Sequence, residues 1–275
     1  MSSSKDIVFI TGGNTGLGLE IVRALAASAK AYNIIIGCRT PSTGDAAIDT
    51  VKGELPDTAS SFSVVQCDLV SDESLEAAIQ RIGEMHGRLD VLINNAGSSF
   101  DGELQQGSLG IREAWNKSWD VNVSGTQVLT TLAVPLLLKA ENPRLLFLTS
   151  GTATLTETES TATPTLSRIN ASPAAGWPKS APAGFGPPTA YRSSKTGLNM
   201  MMREWTRILK NDGVKVWAIS PGFLATGLGG VGAEKLKQLG ALDPSEGGKF
   251  VRDVVQGKRD QDVGKAIRAN MIQPW

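Results

Sequence analysis

The sequence contains very little cysteine or histidine. It has two cysteines, Cys38 and Cys67, and a single histidine, His86. Each cysteine follows an apolar run, so a disulfide is conceivable, but free buried thiols are the usual state in a reducing cytosol. His86 precedes Gly87, which is typical of a cation at a helix end and argues against a histidine-based hydrolase triad. No cysteine or histidine spacing matches a zinc site, so we expect no metal centre.

Net charge and long hydrophobic runs are absent as well. The 27 basic residues balance the 27 acidic ones, so nothing marks a surface for nucleic acid or an anionic membrane, and self-association is not opposed by repulsion. The longest apolar stretch, residues 132–138, is far shorter than the roughly 20 residues of a spanning helix. Residues 1–6 lack the apolar core of a secretory signal. We therefore expect a cytoplasmic protein without nucleic-acid or membrane partners.

What the sequence does contain is an alternation of strand-like and helix-like segments. The strand candidates are residues 7–10, 33–38, 62–67, 91–93, 144–149, 214–219 and 266–272. The helix candidates are residues 17–29, 73–85, 111–139, 189–211 and 244–256, the third of them irregular around 120–123. This order predicts a three-layer α/β Rossmann fold, a doubly wound, mainly parallel sheet of about seven strands with helices on both faces.

One stretch interrupts the alternation. Residues 151–188 are rich in threonine, serine, alanine and proline, and they show no periodicity. This composition predicts a long ordered or semi-ordered loop rather than a linker between domains. We therefore expect residues 1–275 to form one domain that carries a long insertion.

A glycine-rich turn joins the first strand candidate to the first helix candidate. It reads TGGNTGLG from Thr11 to Gly18. Glycine permits positive φ and a close approach of backbone to ligand, and a helix N-terminus offers unpaired N–H groups to an anion. The turn therefore predicts a pyrophosphate-binding loop. A tight strand-to-helix turn without a ligand is the alternative that this motif alone leaves open.

The segment after the second strand candidate indicates which cofactor is preferred. Enzymes that prefer NAD place an acidic residue there, about 20 residues past the loop. Here the segment reads Gly37-Cys38-Arg39-Thr40, and no acid occurs before Asp45. A guanidinium can bind a 2′-phosphate through charge-assisted hydrogen bonds. Arg39 therefore predicts NADP(H), with a solvated surface arginine as the alternative.

Tyr191 and Lys195 are the candidates for acid–base chemistry. Their spacing near the start of a predicted helix places them on one face. An unperturbed tyrosine has a pKa near 10, and a nearby ammonium stabilises the phenolate and lowers that pKa. The positive charge of an oxidised nicotinamide is expected to add to this effect. A tyrosine tuned in this way can exchange a proton with a carbonyl or alcohol oxygen.

Taken together, these motifs resemble the short-chain dehydrogenase/reductase superfamily. The set comprises TGxxxGxG at 11–18, NNAG at 94–97, a strand-end Ser150, YxxxK at 191–195 and Pro221-Gly222. The resemblance covers nearly the whole chain, from residue 5 to about residue 226, and is to the single-domain Rossmann branch. The residues around the motifs, such as 191–195 and 273–275, are similar to those of fungal NADP(H)-dependent carbonyl reductases.

The resemblance implies a role for each matching residue. Tyr191 would be the acid/base, Lys195 would hold the nicotinamide ribose, and Ser150 would bind the substrate oxygen. Asn122 would bind a water that relays protons through Lys195. Asp68 would contact the adenine, Asn95 would lie near the adenosine ribose, and Leu224 and Thr226 would reach the carboxamide and a phosphate. The full set of implied cofactor-binding residues is Gly12, Asn14, Gly16, Leu17, Gly18, Arg39, Asp68, Asn95, Gly97, Tyr191, Lys195, Pro221, Gly222, Leu224 and Thr226.

Two departures from the family pattern matter. The separation of Ser150 from Tyr191 is much longer than usual, which leaves Thr149 and Thr152 as possible substitutes for Ser150. Position 15 is threonine where NADP-preferring relatives often carry a basic residue, so the cofactor preference depends on Arg39.

The resulting expectation is an NADPH-dependent reductase of a small carbonyl compound. The alternatives are an imine or activated C=C reductase on the same scaffold, and a non-catalytic NADP(H)-binding sensor or interaction protein. We expect residues 223–239 and the 151–188 insertion to cover the substrate. Because the insertion precedes the helix through which many relatives pair, we expect a monomer or weak homodimer rather than a tetramer.

Overall fold

A single sheet runs through the part of the chain that the computed structural model describes, residues 5–177, 179 and 188–275. Its order is β3-β2-β1-β4-β5-β6-β7-β8. The strands are β1 (Asp6–Thr11), β2 (Tyr32–Cys38), β3 (Ser61–Gln66), β4 (Val91–Asn94), β5 (Arg144–Leu148), β6 (Lys215–Ile219), β7 (Ala266–Arg268) and β8 (Met271–Ile272). Strands β1 to β7 pair in parallel, and β8 pairs antiparallel with β7. The prediction of a doubly wound, mainly parallel sheet is confirmed.

The sheet of the described residues has eight strands where the sequence predicted about seven. The last candidate, residues 266–272, forms two short strands that fold back on each other. Its apolar pattern does not reveal the turn, because that turn occupies only the two residues between β7 and β8.

Helices cover both faces of the sheet. The helices of the described residues are α1 (Gly16–Ala26), α2 (Pro41–Glu54), α3 (Asp72–His86), α4 (Asp101–Gln105), α5 (Ile111–Trp119), α6 (Gly125–Leu137), α7 (Pro164–Asn170), α8 (Thr189–Ile208), α9 (Ala233–Gln238) and α10 (Pro244–Val255). Ile21, Ile48 and Val251 bring α1, α2 and α10 into one buried cluster. Leu75, Leu129 and Leu198 bring α3, α6 and α8 into the cluster on the opposite face. The central strands β1, β2, β4, β5 and β6 are buried on both sides, as parallel strands are.

The predicted irregularity within residues 111–139 is confirmed. A π-helical turn, Asp120–Ser124, separates α5 from α6. Such a turn interrupts regular helix geometry and is often found at functional sites. By contrast, α2 was not predicted, because its polar sequence and its two glycines give little helical periodicity.

The insertion is more ordered than an irregular loop. It contains the 3₁₀ turns Gly151–Ala153 and Thr156–Glu159, followed by α7. Thr163 caps α7 by accepting a hydrogen bond from the Leu166 amide at 3.2 Å. A helix of seven residues is too short to show periodicity, which is why the sequence did not predict it. Residues 178 and 180–187 of the predicted loop lie outside the described residues.

The scarce cysteines and the histidine lie where expected. Cys38 and Cys67 are free and buried, and burial raises the pKa of Cys67 to about 12. His86 is the last residue of α3, and Gly87 follows it with φ 72°. The described residues form no cluster of three or more potential metal ligands. None of the helices within the described ranges is long and apolar enough to cross a membrane.

Candidate active site

The topology gathers the sequence motifs at one edge of the sheet. Strand order runs outward in opposite directions from β1 and β4, and ligands of such sheets bind at the carboxyl ends beside this switch point. The glycine turn follows β1, residues 94–97 close β4, Ser150 follows β5 and Pro221 follows β6. The motifs therefore face one crevice, although they are far apart in the chain.

The backbone of the glycine turn requires glycine at several positions. Gly12 and Gly16 have φ of 64° and 53°, a region that other residues rarely adopt. A Cβ on Gly18 would lie 2.0 Å from the carbonyl oxygen of Gly12. A Cβ on Gly16 would meet only Thr226, 3.7 Å away, and α1 starts there with its unpaired N–H groups. The turn fits a phosphate cradle, with Thr226 beside it.

The asparagines of the NNAG motif brace this cradle. The Asn95 side chain donates to the carbonyl oxygens of Thr11 and Gly12, at 2.8 and 3.3 Å. Thr11 Oγ1 in turn accepts from the amides of Asn95 and Ala96, both at 3.0 Å. Asn94 reaches the other way and donates to Thr130 on α6 at 3.0 Å. The motif therefore joins the ends of β1 and β4 and fixes the glycine turn to the sheet.

The other predicted cofactor residues lie in the glycine turn or just past the carboxyl ends of β2 and β3, on the same edge of the sheet. Asn14 donates to Thr43 Oγ1 at 2.9 Å, which ties the turn to the start of α2. Arg39 is exposed just past the end of β2, and no carboxylate of the described residues pairs with its guanidinium. An Asp68 oxygen accepts from the Val70 amide at 3.3 Å.

Residues 17 and 224 serve packing in this structure. The methyl groups of Leu17 and Leu224 lie against Gly247, where a Cβ would be 2.8 and 2.6 Å from them. Leu224 also forms an isolated bridge with Leu242. The segment after Pro221-Gly222 is thereby held close to α1 and α10.

Three predicted catalytic side chains meet where β5 ends and α8 begins: Tyr191, Ser150 and Lys195. The side chain of Ser150 lies beside the Tyr191 hydroxyl, where it lowers the pKa of the phenol. Lys195 Nζ lies 5.8 Å from the centroid of the Tyr191 ring and donates to the Leu148 carbonyl oxygen at 2.8 Å. Lys195 is only 4% exposed, and the described structure shows no carboxylate paired with it. The arrangement places a phenol, a hydroxyl and a buried cation within one small volume.

The structure distinguishes Ser150 from its possible substitutes. Thr149 Oγ1 points into the interior, where it donates to Asn199 Oδ1 at 2.6 Å. Thr152 Oγ1 lies 2.9 Å from Ser150 Oγ, and its amide donates to the same oxygen at 3.1 Å. Ser150 therefore caps a 3₁₀ turn and contacts Tyr191 at the same time. The long insertion does not separate them, because it leaves and rejoins the fold at this edge.

Two residues near the end of the described chain hold the backbone around Ser150. Gln273 donates to the Ser150 carbonyl oxygen at 3.1 Å, and Arg268 donates to that of Gly151 at 3.3 Å. Arg268 also forms an ion pair with Glu157 of the insertion. The β7–β8 hairpin thus anchors both Ser150 and the start of the insertion.

The expected lowering of the Tyr191 pKa is wrong for the chain by itself. Burial raises the pKa of Tyr191 to about 12, and the hydrogen bond from Ser150 offsets only part of that rise. Burial also lowers the pKa of Lys195 to about 8. The ammonium lies 5.8 Å from the ring centroid and donates to Leu148, so removal of the phenol from water outweighs its attraction for a phenolate. Tyr191 is accordingly a protonated group near neutral pH.

Asn122 is fully buried in the π turn and fully engaged. Its side chain exchanges two hydrogen bonds with the Ser98 backbone, at 2.8 and 2.9 Å. It also donates to Ser194 Oγ at 2.9 Å. A Cβ on Gly97 would lie 2.9 Å from Asn122 Oδ1 and 3.1 Å from Lys195 Nζ. The absence of a side chain at Gly97 therefore lets Asn122 and Lys195 approach each other.

Sequence reasoning missed two residues that hold the start of α8 in place, Asp101 on α4 and Arg192 on α8 itself. Asp101 accepts hydrogen bonds from the amides of Ala190 and Tyr191, at 2.9 and 3.0 Å. Arg192 donates to the carbonyl oxygens of Thr152 and Ile169, at 3.1 and 3.0 Å. The sequence contains one signal for such a residue. The helix starts after Pro188, which has no side chain that can cap it, so an acceptor from elsewhere in the fold is needed.

Comparisons with known proteins agree with this geometry. The profile of the short chain dehydrogenase family matches residues 6–162. The chain is 46% identical to the short-chain dehydrogenase/reductase eupG of a Phoma species, over 98% of each chain. It is 42% identical to the short-chain dehydrogenase/reductase tropE of Talaromyces stipitatus, over 99% of each chain. The protein belongs to the short-chain dehydrogenase/reductase family of oxidoreductases.

Solved structures show the same fold at low sequence identity. The NADPH-bound carbonyl reductase from chicken fatty liver has a TM-score of 0.75 and 20% identity, over 98% of this chain and 99% of its own. The 3-oxoacyl-[acyl-carrier protein] reductase from Brucella melitensis, in complex with NAD, has a TM-score of 0.74 and 23% identity, over 98% and 96%. These two enzymes were solved with different nicotinamide cofactors, so the fold alone does not select one.

Proposed function

We propose that the protein is an NADPH-dependent carbonyl reductase acting on a ketone or aldehyde of a small organic molecule. The observation that carries the proposal is the clustering of the Ser150 and Tyr191 side chains beside the buried Lys195. This group lies at the sheet edge that also holds the glycine cradle. A scaffold that only binds a nucleotide has no need of a desolvated, protonated phenol beside a hydroxyl and a buried lysine.

The residues around the cradle fit a nicotinamide dinucleotide. The glycine turn and Thr226 would hold its phosphates, Arg39 a 2′-phosphate, and Asp68 and Asn95 the adenosine half. When bound, the nicotinamide supplies the hydride, which is the difficult part of the chemistry.

The chain itself orients the substrate oxygen and moves its proton. Ser150 donates a hydrogen bond to the carbonyl oxygen and stabilises the charge that develops there. Tyr191, protonated because its pKa is raised, gives its proton to the same oxygen. Lys195, with its pKa near 8, supplies positive charge beneath the ring and is available to restore the proton. Asn122 holds the loop that lies next to Lys195.

A substrate screen tests the proposed activity. Purified protein is mixed with NADPH and with sets of ketones, aldehydes, imines and activated alkenes, and oxidation is followed by NADPH absorbance. Turnover of ketones or aldehydes is the expected result. Turnover confined to imines or alkenes would move the reaction to the C=N or C=C bond. NADPH binding without turnover of any class would indicate a sensor or interaction protein instead.

Arg39 is expected to decide the cofactor preference. Removal of one charged hydrogen-bond partner typically costs about 1.5–3 kcal/mol, so Arg39→Glu is expected to weaken NADPH binding by about 10- to 100-fold. NADH, which lacks the 2′-phosphate, is expected to lose much less affinity. Fluorescence titration of both cofactors checks this, with Arg39→Gln separating loss of charge from repulsion. Equal wild-type affinities for NADPH and NADH would contradict the assignment.

The insertion is proposed to frame the substrate entrance. Arg192, next to Tyr191, donates to Ile169 and to Asn170 at the end of α7. On the same helix, Arg168 stacks on the Phe223 ring at 5.3 Å. The insertion therefore contacts both the α8 start and the segment after β6.

Shortening the insertion tests this role and the proposed monomeric or weakly dimeric state. Residues 160–187 are replaced by a short Gly/Ser link, which costs little in loop closure. We expect kcat/KM on a ketone from the screen to change at least fivefold, and light scattering to show a larger assembly. An unchanged kcat/KM would remove the entrance role, and an unchanged mass would remove the effect on assembly.

A further inference from the structure

The helix that carries Tyr191 and Lys195 starts without a cap of its own. The first N–H groups of any helix need acceptors from outside the helix, which usually come from a capping side chain just before it. Pro188 occupies that position and has no polar side chain. Tyr191 is the third residue of α8, so its amide is one of the groups that need such an acceptor.

Asp101 supplies the missing acceptors from elsewhere in the fold. Its carboxylate accepts from the amides of Ala190 and Tyr191, one with each oxygen, at 2.9 and 3.0 Å. Ser99 Oγ adds a third hydrogen bond at 3.2 Å. Asp101 is only 5% exposed. A buried carboxylate at a helix N-terminus forms strong, charge-assisted hydrogen bonds and also interacts favourably with the helix dipole.

The other end of the Tyr191 peptide unit is held as well. Ser194 Oγ donates to the Tyr191 carbonyl oxygen at 2.8 Å and accepts from Asn122 at 2.9 Å. Asn122 binds the Ser98 backbone, three residues before Asp101. Hydrogen bonds therefore form a closed circuit through the π turn, the segment after β4 and the first turn of α8. Asp101 is the only charged group in that circuit.

We propose that Asp101 is a positioning residue, which sets the position of the Tyr191 hydroxyl relative to Ser150 by holding the Tyr191 amide. The consequence for catalysis rests on the proposed reductase function. A reacting group misplaced by about 1 Å can lose as much as about 10² in rate. The hydrogen bonds of Asp101 go to the first turn of α8 and to Ser99. Its loss is therefore expected to affect proton transfer by Tyr191 more than cofactor binding.

Asp101→Asn and Asp101→Ala test the proposal in kinetics. Asparagine keeps one acceptor oxygen and the side-chain shape, whereas alanine leaves both amides without an acceptor. We expect kcat to fall about 5- to 20-fold in Asp101→Asn and further in Asp101→Ala. For Asp101→Asn, the NADPH dissociation constant, measured by fluorescence, is expected to stay within threefold of the wild-type value. The Tm of this variant is expected to stay within about 5 °C of that of the wild type.

Asp243→Asn is the matched control. Asp243 also caps a helix with its carboxylate, accepting from the Ser245 amide at 2.9 Å at the start of α10. It is exposed and contacts neither Tyr191 nor Ser150. Its replacement is expected to leave kcat within twofold of the wild type.

Amide hydrogen exchange of the cofactor-free protein gives a readout that does not depend on turnover. The Tyr191 amide is expected to be protected in the wild type and to exchange at least tenfold faster in either Asp101 variant. If the wild type reduces no carbonyl compound, the proposed function fails while this measurement still decides whether Asp101 holds Tyr191.

Three results would overturn the proposal. One is a kcat within twofold of the wild type in Asp101→Asn. Another is a fall in kcat that is matched by an equal loss of NADPH affinity and a collapse of Tm, which would make the role purely structural. The third is unchanged exchange at Tyr191 in the folded variants.

Discussion

Tyr191→Phe is expected to lower kcat by about 10²–10⁴, the usual contribution of a general acid. Phenylalanine keeps the ring beside Lys195 and removes only the hydroxyl that lies beside Ser150. The NADPH dissociation constant is expected to stay within a few-fold, since the fold and the cradle do not depend on the phenol. Steady-state kinetics on a ketone and fluorescence titration of NADPH measure the two quantities.

The chain offers a matched control for this change. Tyr32 is the only other tyrosine, and its buried hydroxyl has no hydrogen-bond partner among the described residues. Tyr32→Phe is therefore expected to leave kcat unchanged and to preserve or slightly raise stability, because a buried unpaired hydroxyl is unfavourable. If Tyr191→Phe retains more than about a tenth of wild-type kcat, Tyr191 is not the acid.

Lys195→Met is expected to reduce kcat/KM by at least about 10², comparable to the loss of one electrostatic group at a reacting oxygen. Methionine has a similar length and keeps the packing, but it removes the ammonium that lies beneath the Tyr191 ring and donates to Leu148. Wild-type turnover is expected to depend on the same charge. Because burial lowers the pKa of Lys195 to about 8, the ammonium is present below pH 8 and is lost as pH rises through that value.

A pH profile of kcat/KM separates this effect from others. Between pH 7 and pH 9 the wild-type rate is expected to fall several-fold, since about a tenth of the lysine remains charged one unit above its pKa. Lys195→Arg keeps a permanent charge, so its residual activity is expected to lack this alkaline limb. An identical limb in Lys195→Arg would assign it to another group and contradict the role given to Lys195.

The pKa directions of Tyr191 and Lys195 indicate which direction of the reaction the site favours. Burial keeps the phenol of Tyr191 protonated and makes Lys195 easier to deprotonate. Both directions suit delivery of a proton to a carbonyl oxygen better than removal of one from an alcohol. The electrostatics of the site therefore support a reductase, in addition to the motifs.

The sequence determined the elements with long periodic patterns and the motifs at their ends. Strand and helix alternation predicted the parallel sheet, because buried strands must be apolar throughout and the helices between them must be amphipathic. It also located the glycine turn, the NNAG motif and the Tyr191–Lys195 pair, since each is a local pattern attached to an element. It missed α2, α4, α7 and α9, in which polar composition or short length removes the periodic signal.

Only the tertiary structure decided which distant side chains act on the site. Ser150, rather than Thr149, meets Tyr191 because the strand pleat turns Thr149 inward to Asn199. Asp101 reaches the Tyr191 amide from α4, a contact that no spacing along the chain encodes. The raised pKa of Tyr191 also needed the fold, because desolvation depends on everything packed around a group, whereas sequence shows only its nearest neighbours.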